Sequence, residues 1–106
     1  MLLDVINGGE TFYYSLYGSR IADNSGFDMT HKRLSDLPTI QPIQTFFLAC
    51  YRAVVQSRRP LFTIHAAPEN IMIGCWRRLL LPMGRDGTVT RILVSNMAVR
   101  PDGRLK

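Results

Sequence analysis

Two histidines, two cysteines and eight acidic residues are the groups from which this chain would have to build catalytic or metal chemistry. His31, His65, Cys50 and Cys75 lie far apart in sequence and show none of the close pairings from which zinc sites are made. Most of the acids (Asp4, Glu10, Asp23, Asp28, Asp36, Glu69, Asp86 and Asp102) sit among turn-forming residues, where short carboxylates bond the local backbone. A working acid and base pair is therefore not expected. The stretch GSRIADNSG, residues 18–26, has too few glycines, in the wrong order, for a phosphate loop or dinucleotide fingerprint. Nor does YGSRI match the G-x-S-x-G of a nucleophile elbow.

The elements that would position these residues can be read from period and punctuation. Leu2 to Ile6 and Phe12 to Tyr17 are apolar or alternating runs on either side of NGGE, whose Asn7-Gly8 is a strong hairpin signal because both residues tolerate positive φ. In the second run Phe12, Tyr14 and Leu16 alternate with Tyr13, Ser15 and Tyr17. Gly18 then breaks the strand, a short helix follows, and Gly26 ends it. Asp28 and Thr30 brace the next turn. Ile43, Phe46, Phe47, Cys50, Tyr51, Val54 and Val55 recur at helical spacing and predict one amphipathic helix from Gln41, with Pro42 in its first turn and Pro60 beyond its end. Three strands complete the pattern: Leu61 to Ala66, Ile71 to Leu81 and Val89 to Val99. APEN turns the chain between the first two, and Asp86-Gly87 between the last two. Five antiparallel strands with the helices inserted after the second make an α+β domain, a sheet covered on one face by short helices and one longer helix.

Bulk properties fit one domain, residues 1–99, with 100–106 as a tail or linker of turn and charged residues. A chain of 106 residues buries roughly 60 to 70% of its unfolded surface, enough for one core. The net charge of +5 favours solubility and mild attraction to anions. No basic leader precedes an apolar run and no window approaches the length of a membrane span, so a cytoplasmic protein without membrane contact is expected. Two cysteines inside apolar patterns read as buried free thiols in a reducing compartment.

DVINGGETFYYSLYGSRIADNSGFDMTHKRL, LACYRAVVQSRRP and RRLLLPMGRDGTVTRILVSNM, taken in order, resemble a bacterial variant of the PAS sensory domain. The shared pattern runs hairpin, Tyr-x-Leu-x-Gly-Ser/Thr, Gly-x-Asp-x-Thr, helix, Arg-Pro turn, Leu-Pro and final strand, over almost the whole chain. The resemblance implies the five-stranded PAS fold, a sensory or protein-interaction role in signalling, and dimerisation. It also keeps haem ligation by His65 open, whereas neither Cys50 nor Cys75 has the setting of a flavin-binding PAS cysteine. Ser15 stands where the family often has Arg, and His31 where it often has Gly; a changed pocket is expected to show first at these two positions.

A pocket between sheet and helices is the remaining candidate for chemistry, with Tyr14, Leu16, Phe46, Phe47, Cys50, Trp76 and Asn96 as its expected lining. The same aromatics could instead simply fill the core, as they do in most small domains. No cofactor or metal is expected, and the ligand is left as an unknown small molecule. Neighbouring residues on a strand face opposite ways, so one of Arg77 and Arg78 would face the helices; solvent or an aspartate partner is the expected fate of such an arginine. No aromatic-basic platform accompanies the charge, so nucleic-acid binding is not expected. The reading is a non-enzymatic sensory domain that acts as a homodimer or on a signalling partner. A small enzyme using the same cavity is the alternative, with a nucleic-acid-binding module a more distant one. Dimerisation is expected through the outer sheet face or the N-terminal edge.

Overall fold

The computed structural model describes residues 1–67 and 72–106. Strands β1 (Leu2–Ile6) and β2 (Thr11–Leu16) form the opening hairpin; α1 (Ser19–Ser25), a single 3-10 turn (Leu34–Asp36) and α2 (Gln41–Ser57) follow; β3 (Leu61–Ala66), β4 (Cys75–Arg85) and β5 (Thr88–Val99) close the sheet. The spatial order is β2-β1-β5-β4-β3, every neighbouring pair being antiparallel. This is the expected α+β, PAS-like architecture: a five-stranded sheet with the helices inserted between β2 and β3.

Local chemistry accounts for the joints. Asn7, Gly8 and Gly9 all take positive φ in the first hairpin loop, as do Asp86 and Gly87 in the last. Gly18, also at positive φ, caps the start of α1, and Gly26 ends it in the left-handed region, its N–H donating to the Ala22 carbonyl at 2.9 Å. One Asp28 carboxylate oxygen accepts from both the backbone N–H and the hydroxyl of Thr30, at 2.9 and 2.5 Å, and these bonds hold its carboxyl below the usual range. Pro42 lies in the first turn of α2. The helix ends at Arg58, whose left-handed conformation closes it one residue before Arg59-Pro60.

The core lies between α2 and the inner sheet face. Phe12 and Tyr14 on β2, Leu3 on β1, Leu80 on β4, Ile92 and Val94 on β5, and Tyr51 and Val54 on α2 are among its buried members. Arg52 on the same helix donates to the carbonyls of Gly9 and Glu10 at 2.8 and 2.9 Å and so ties α2 to the hairpin loop.

Two expectations are corrected, the bounds of β4 and the free N-terminal edge. β4 begins at Cys75 rather than Ile71 and runs on through Pro82 to Arg85, because the β4–β5 ladder closes directly on the tight Asp86-Gly87 turn. The turn expected at 67–70 lies, apart from Ala67, outside the described residues. Residues 100–106 turn back on the domain: Lys106 N–H donates to the Ala98 carbonyl at 2.9 Å and Lys106 Nζ to Asn24 Oδ1 at 2.9 Å. β1 has no free edge, since it pairs with β2 on one side and β5 on the other; the sheet edges are β2 and β3.

One irregularity redistributes side chains between the two faces. Leu3 pairs with Tyr14 but Leu2 pairs with Leu16, so Ser15 is an extra residue on β2 and its hydroxyl donates to the Leu2 carbonyl at 3.1 Å. Such a bulge reverses the alternation beyond it. Leu16 is therefore turned to the outer face and is 59% exposed, while Tyr17 is turned inward and buried. On the outer face, Leu16, Leu2, Leu93 and Leu81 lie side by side across β2, β1, β5 and β4.

Candidate functional site

A cavity of about 290 Å³ opens between the inner sheet face and the helical segments. β4 and β5 form its floor with Trp76, Arg78 and Asn96; β2 contributes Tyr14 and, just past its end, Tyr17; α2 contributes Ile43 and Phe47; the end of β3 contributes His65. Phe27, Leu37 and Thr39, from the connections around the helices, complete most of the wall.

Arg78 is the centre of the site. Strand alternation sends Arg77 outward and Arg78 inward, where it is only 1% exposed. Its Nε donates to Asn96 Oδ1 at 2.9 Å and its Nη2 donates to the Tyr51 hydroxyl. The guanidinium carbon lies 4.3 Å from the centre of the Phe47 ring and 5.3 Å from that of Tyr51, within cation–π range. The Tyr51 hydroxyl in turn lies 3.4 Å from that of Tyr14. Nη1 is buried and has no hydrogen-bond partner. Among the described residues the ion pair present is Arg91 with Asp4, at 3.1 Å on the outer face. The expectation of an aspartate partner or a solvated face for the inward arginine is thus corrected: Arg78 is held by an amide, a phenol and two ring faces.

Two further polar groups of the lining are unspent. His65 Nδ1 and Thr39 Oγ1 are buried without partners. Burial, reinforced by the positive charge of Arg78, lowers the His65 pKa to about 4. The imidazole is therefore neutral at neutral pH. Burial and then the neighbouring Tyr51 keep the Tyr14 hydroxyl well above an ordinary phenol, and burial also raises Tyr17. All three groups are displaced away from neutrality.

Of the seven residues expected to line a pocket, the structure brings together Tyr14, Phe47, Trp76 and Asn96. Leu16 is removed to the outer face by the bulge. Phe46 packs beside Phe47 and His65, with ring centres 5.9 and 5.6 Å away, and is partly exposed rather than lining the cavity. Cys50 belongs to the packed core, and burial raises its thiol pKa. Cys50 and Cys75 are both free thiols. Ser15 and His31 do not line the cavity: Ser15 serves the bulge. His31 adopts a positive φ of 62°, a conformation glycine takes without penalty, and its ring stacks on Tyr13. Arg78, Tyr17, Thr39 and His65 are among the lining residues that the expected set did not include. Strand parity marked Arg78 as half of an inward-or-outward choice, but no local signal marked Tyr17, whose direction depends on the bulge.

Among the described residues, no group of three or more His, Cys, Asp or Glu is placed to hold a metal ion, and no helix is long and apolar enough to cross a membrane. Compared with protein-family models, with curated proteins and with solved structures, the chain matches none.

Proposed function

We propose that this chain is a non-enzymatic, PAS-type sensory or regulatory domain that holds a small molecule between its sheet and helices. The observation that carries this reading is the cavity itself, close in volume to the smallest ligand sites, with three buried polar atoms in its wall unspent. Buried polar atoms normally find partners, and a ligand would supply them.

The directions of the pKa shifts favour binding over catalysis. An enzyme would also gather titratable groups in one cavity, as His65, Tyr14 and Tyr17 are gathered here. General acid–base work, however, is most efficient with pKa values near the operating pH. His65, lowered to about 4, is a weak base, and the raised tyrosines are weak acids. Several arginines are engaged within the domain: Arg20, Arg52 and Arg58 donate to backbone carbonyls, Arg91 pairs with Asp4, and Arg78 is buried.

The output side of the proposal is a second copy of the chain packed on the outer sheet face, in the cytoplasm. Leu16, Leu93, Leu79, Phe62, Ile64 and Met97 are all exposed there, an apolar surface interrupted by Arg77 and Ser95 and of the kind interfaces cover. Ligand occupancy would then shift the population of dimer arrangements across the same sheet.

Native mass spectrometry of the purified chain tests both parts. A retained small molecule and a dimer are expected. Ligand-free protein that no member of a metabolite panel stabilises thermally overturns the sensory reading, and a strict monomer at high concentration in light scattering overturns the dimer.

A further inference from the structure

We propose that the cavity takes a small organic carboxylate with an apolar body, and that Arg78 is its counter-ion. The inference rests on the ligand-binding reading above and narrows it to a chemical class.

A buried cation is ordinarily paired, because burial strips an ion of its hydration, which neutral dipoles replace only in part. Arg78 has a neutral amide and a neutral phenol as its acceptors, and its Nη1 faces no acceptor. The two partners and the Phe47 ring fix the plane of the guanidinium, so its unspent N–H groups form a pre-set fork. That fork matches the two oxygens of a carboxylate. Neutral His65, with its unpartnered Nδ1 able to carry the ring proton, and the Thr39 hydroxyl add two more donors in the same wall.

Charge and size narrow the class further. Arg78 is the one fully buried cation of the wall, and the part-buried Met1 ammonium beside it already donates to the Val94 carbonyl at 2.7 Å, which favours a monocarboxylate over a phosphate dianion. Tyr14, Phe27, Ile43 and Phe47 supply an aromatic and aliphatic enclosure for the rest of the ligand. A cavity of about 290 Å³ lies at the low end of small-molecule sites and suits a small ligand.

Sodium benzoate is a suitable probe of that size, with benzamide as its neutral isostere and inorganic phosphate as an anion lacking an apolar body. Calorimetric titration of the full chain at constant ionic strength should show benzoate binding at least about tenfold tighter than benzamide, the ratio expected for a charge-assisted bond to arginine. Phosphate should give no more effect than chloride. Arg78→Met should weaken benzoate by at least about tenfold while leaving benzamide within a few-fold, with folding checked by circular dichroism. Benzamide binding as tightly as benzoate overturns the carboxylate assignment but keeps the ligand cavity. Binding of neither overturns both. Benzoate affinity unchanged in Arg78→Met removes Arg78 from the site. If that variant fails to fold, the benzoate to benzamide ratio of the unaltered chain decides.

Discussion

Deleting the buried cation should cost this domain less than deleting the phenol that accepts from it. Arg78→Met loses two charge-assisted hydrogen bonds, to Asn96 and Tyr51, worth about 1.5–3 kcal/mol each. It also returns the desolvation penalty of an uncompensated guanidinium, which is several kcal/mol. The methionine stem fills much of the space above Phe47. The two sums nearly cancel, and the unliganded variant should lie within about 2 kcal/mol of the parent. Tyr51→Phe leaves the guanidinium buried and removes one of its two acceptors, together with the bond to Tyr14, and should cost about 2–4 kcal/mol. In the Arg78→Met background the same Tyr51→Phe change breaks only a neutral phenol–phenol bond and should cost about 1 kcal/mol. Urea unfolding of the parent, the two single variants and the double variant measures this cycle, with an expected coupling of about 1–3 kcal/mol. A loss above about 4 kcal/mol for Arg78→Met, or a Tyr51→Phe cost equal in both backgrounds, would refute the description of Arg78 as a buried cation short of partners.

Stability should fall as pH drops from about 6.5 towards 4, where His65 is protonated in the unfolded chain but still neutral in the folded one. His65→Gln should flatten that part of the profile relative to the parent, and an imidazole proton resonance titrating with a midpoint near 4 would identify the group directly. Gly84→Ala should destabilise the β4–β5 hairpin by at least about 2 kcal/mol in thermal or urea unfolding, because the added methyl would sit 1.8 Å from the backbone oxygen of Thr88. Leu93→Glu, in the middle of the outer leucine row, should leave the circular dichroism spectrum intact and convert a dimer to monomer in light scattering; an unchanged mass would place the interface elsewhere.

Much of this fold was legible because its signals are local. The period of Ile43 to Val55 depends only on which residues are apolar, and α2 forms where that period runs. Asn7-Gly8 and Asp86-Gly87 need positive φ and come at the two hairpin turns. Gly26 ends α1 for the same reason. The site was only half legible. Tyr14, Phe47, Trp76 and Asn96 follow from strand and helix parity, since each lies on an apolar stripe facing the other layer. Leu16 and Tyr17 break that parity because the pairing of Leu2 with Leu16 leaves Ser15 over, and a register shift belongs to two strands at once.

Composition, hydrophobic period and turn residues by themselves determined that this chain forms five strands, a short helix and one long amphipathic helix around a single core. Tertiary structure alone decided what that core contains. It put β1 between β2 and β5, turned Leu16 out into a leucine row, and enclosed Arg78 among Phe47 and Tyr51 from α2 and Asn96 from β5. The physical reason is that secondary structure depends on neighbours in the chain. The partners of a buried charge depend on which distant segments the sheet brings within a few ångströms, and those partners determine the chemistry of the cavity.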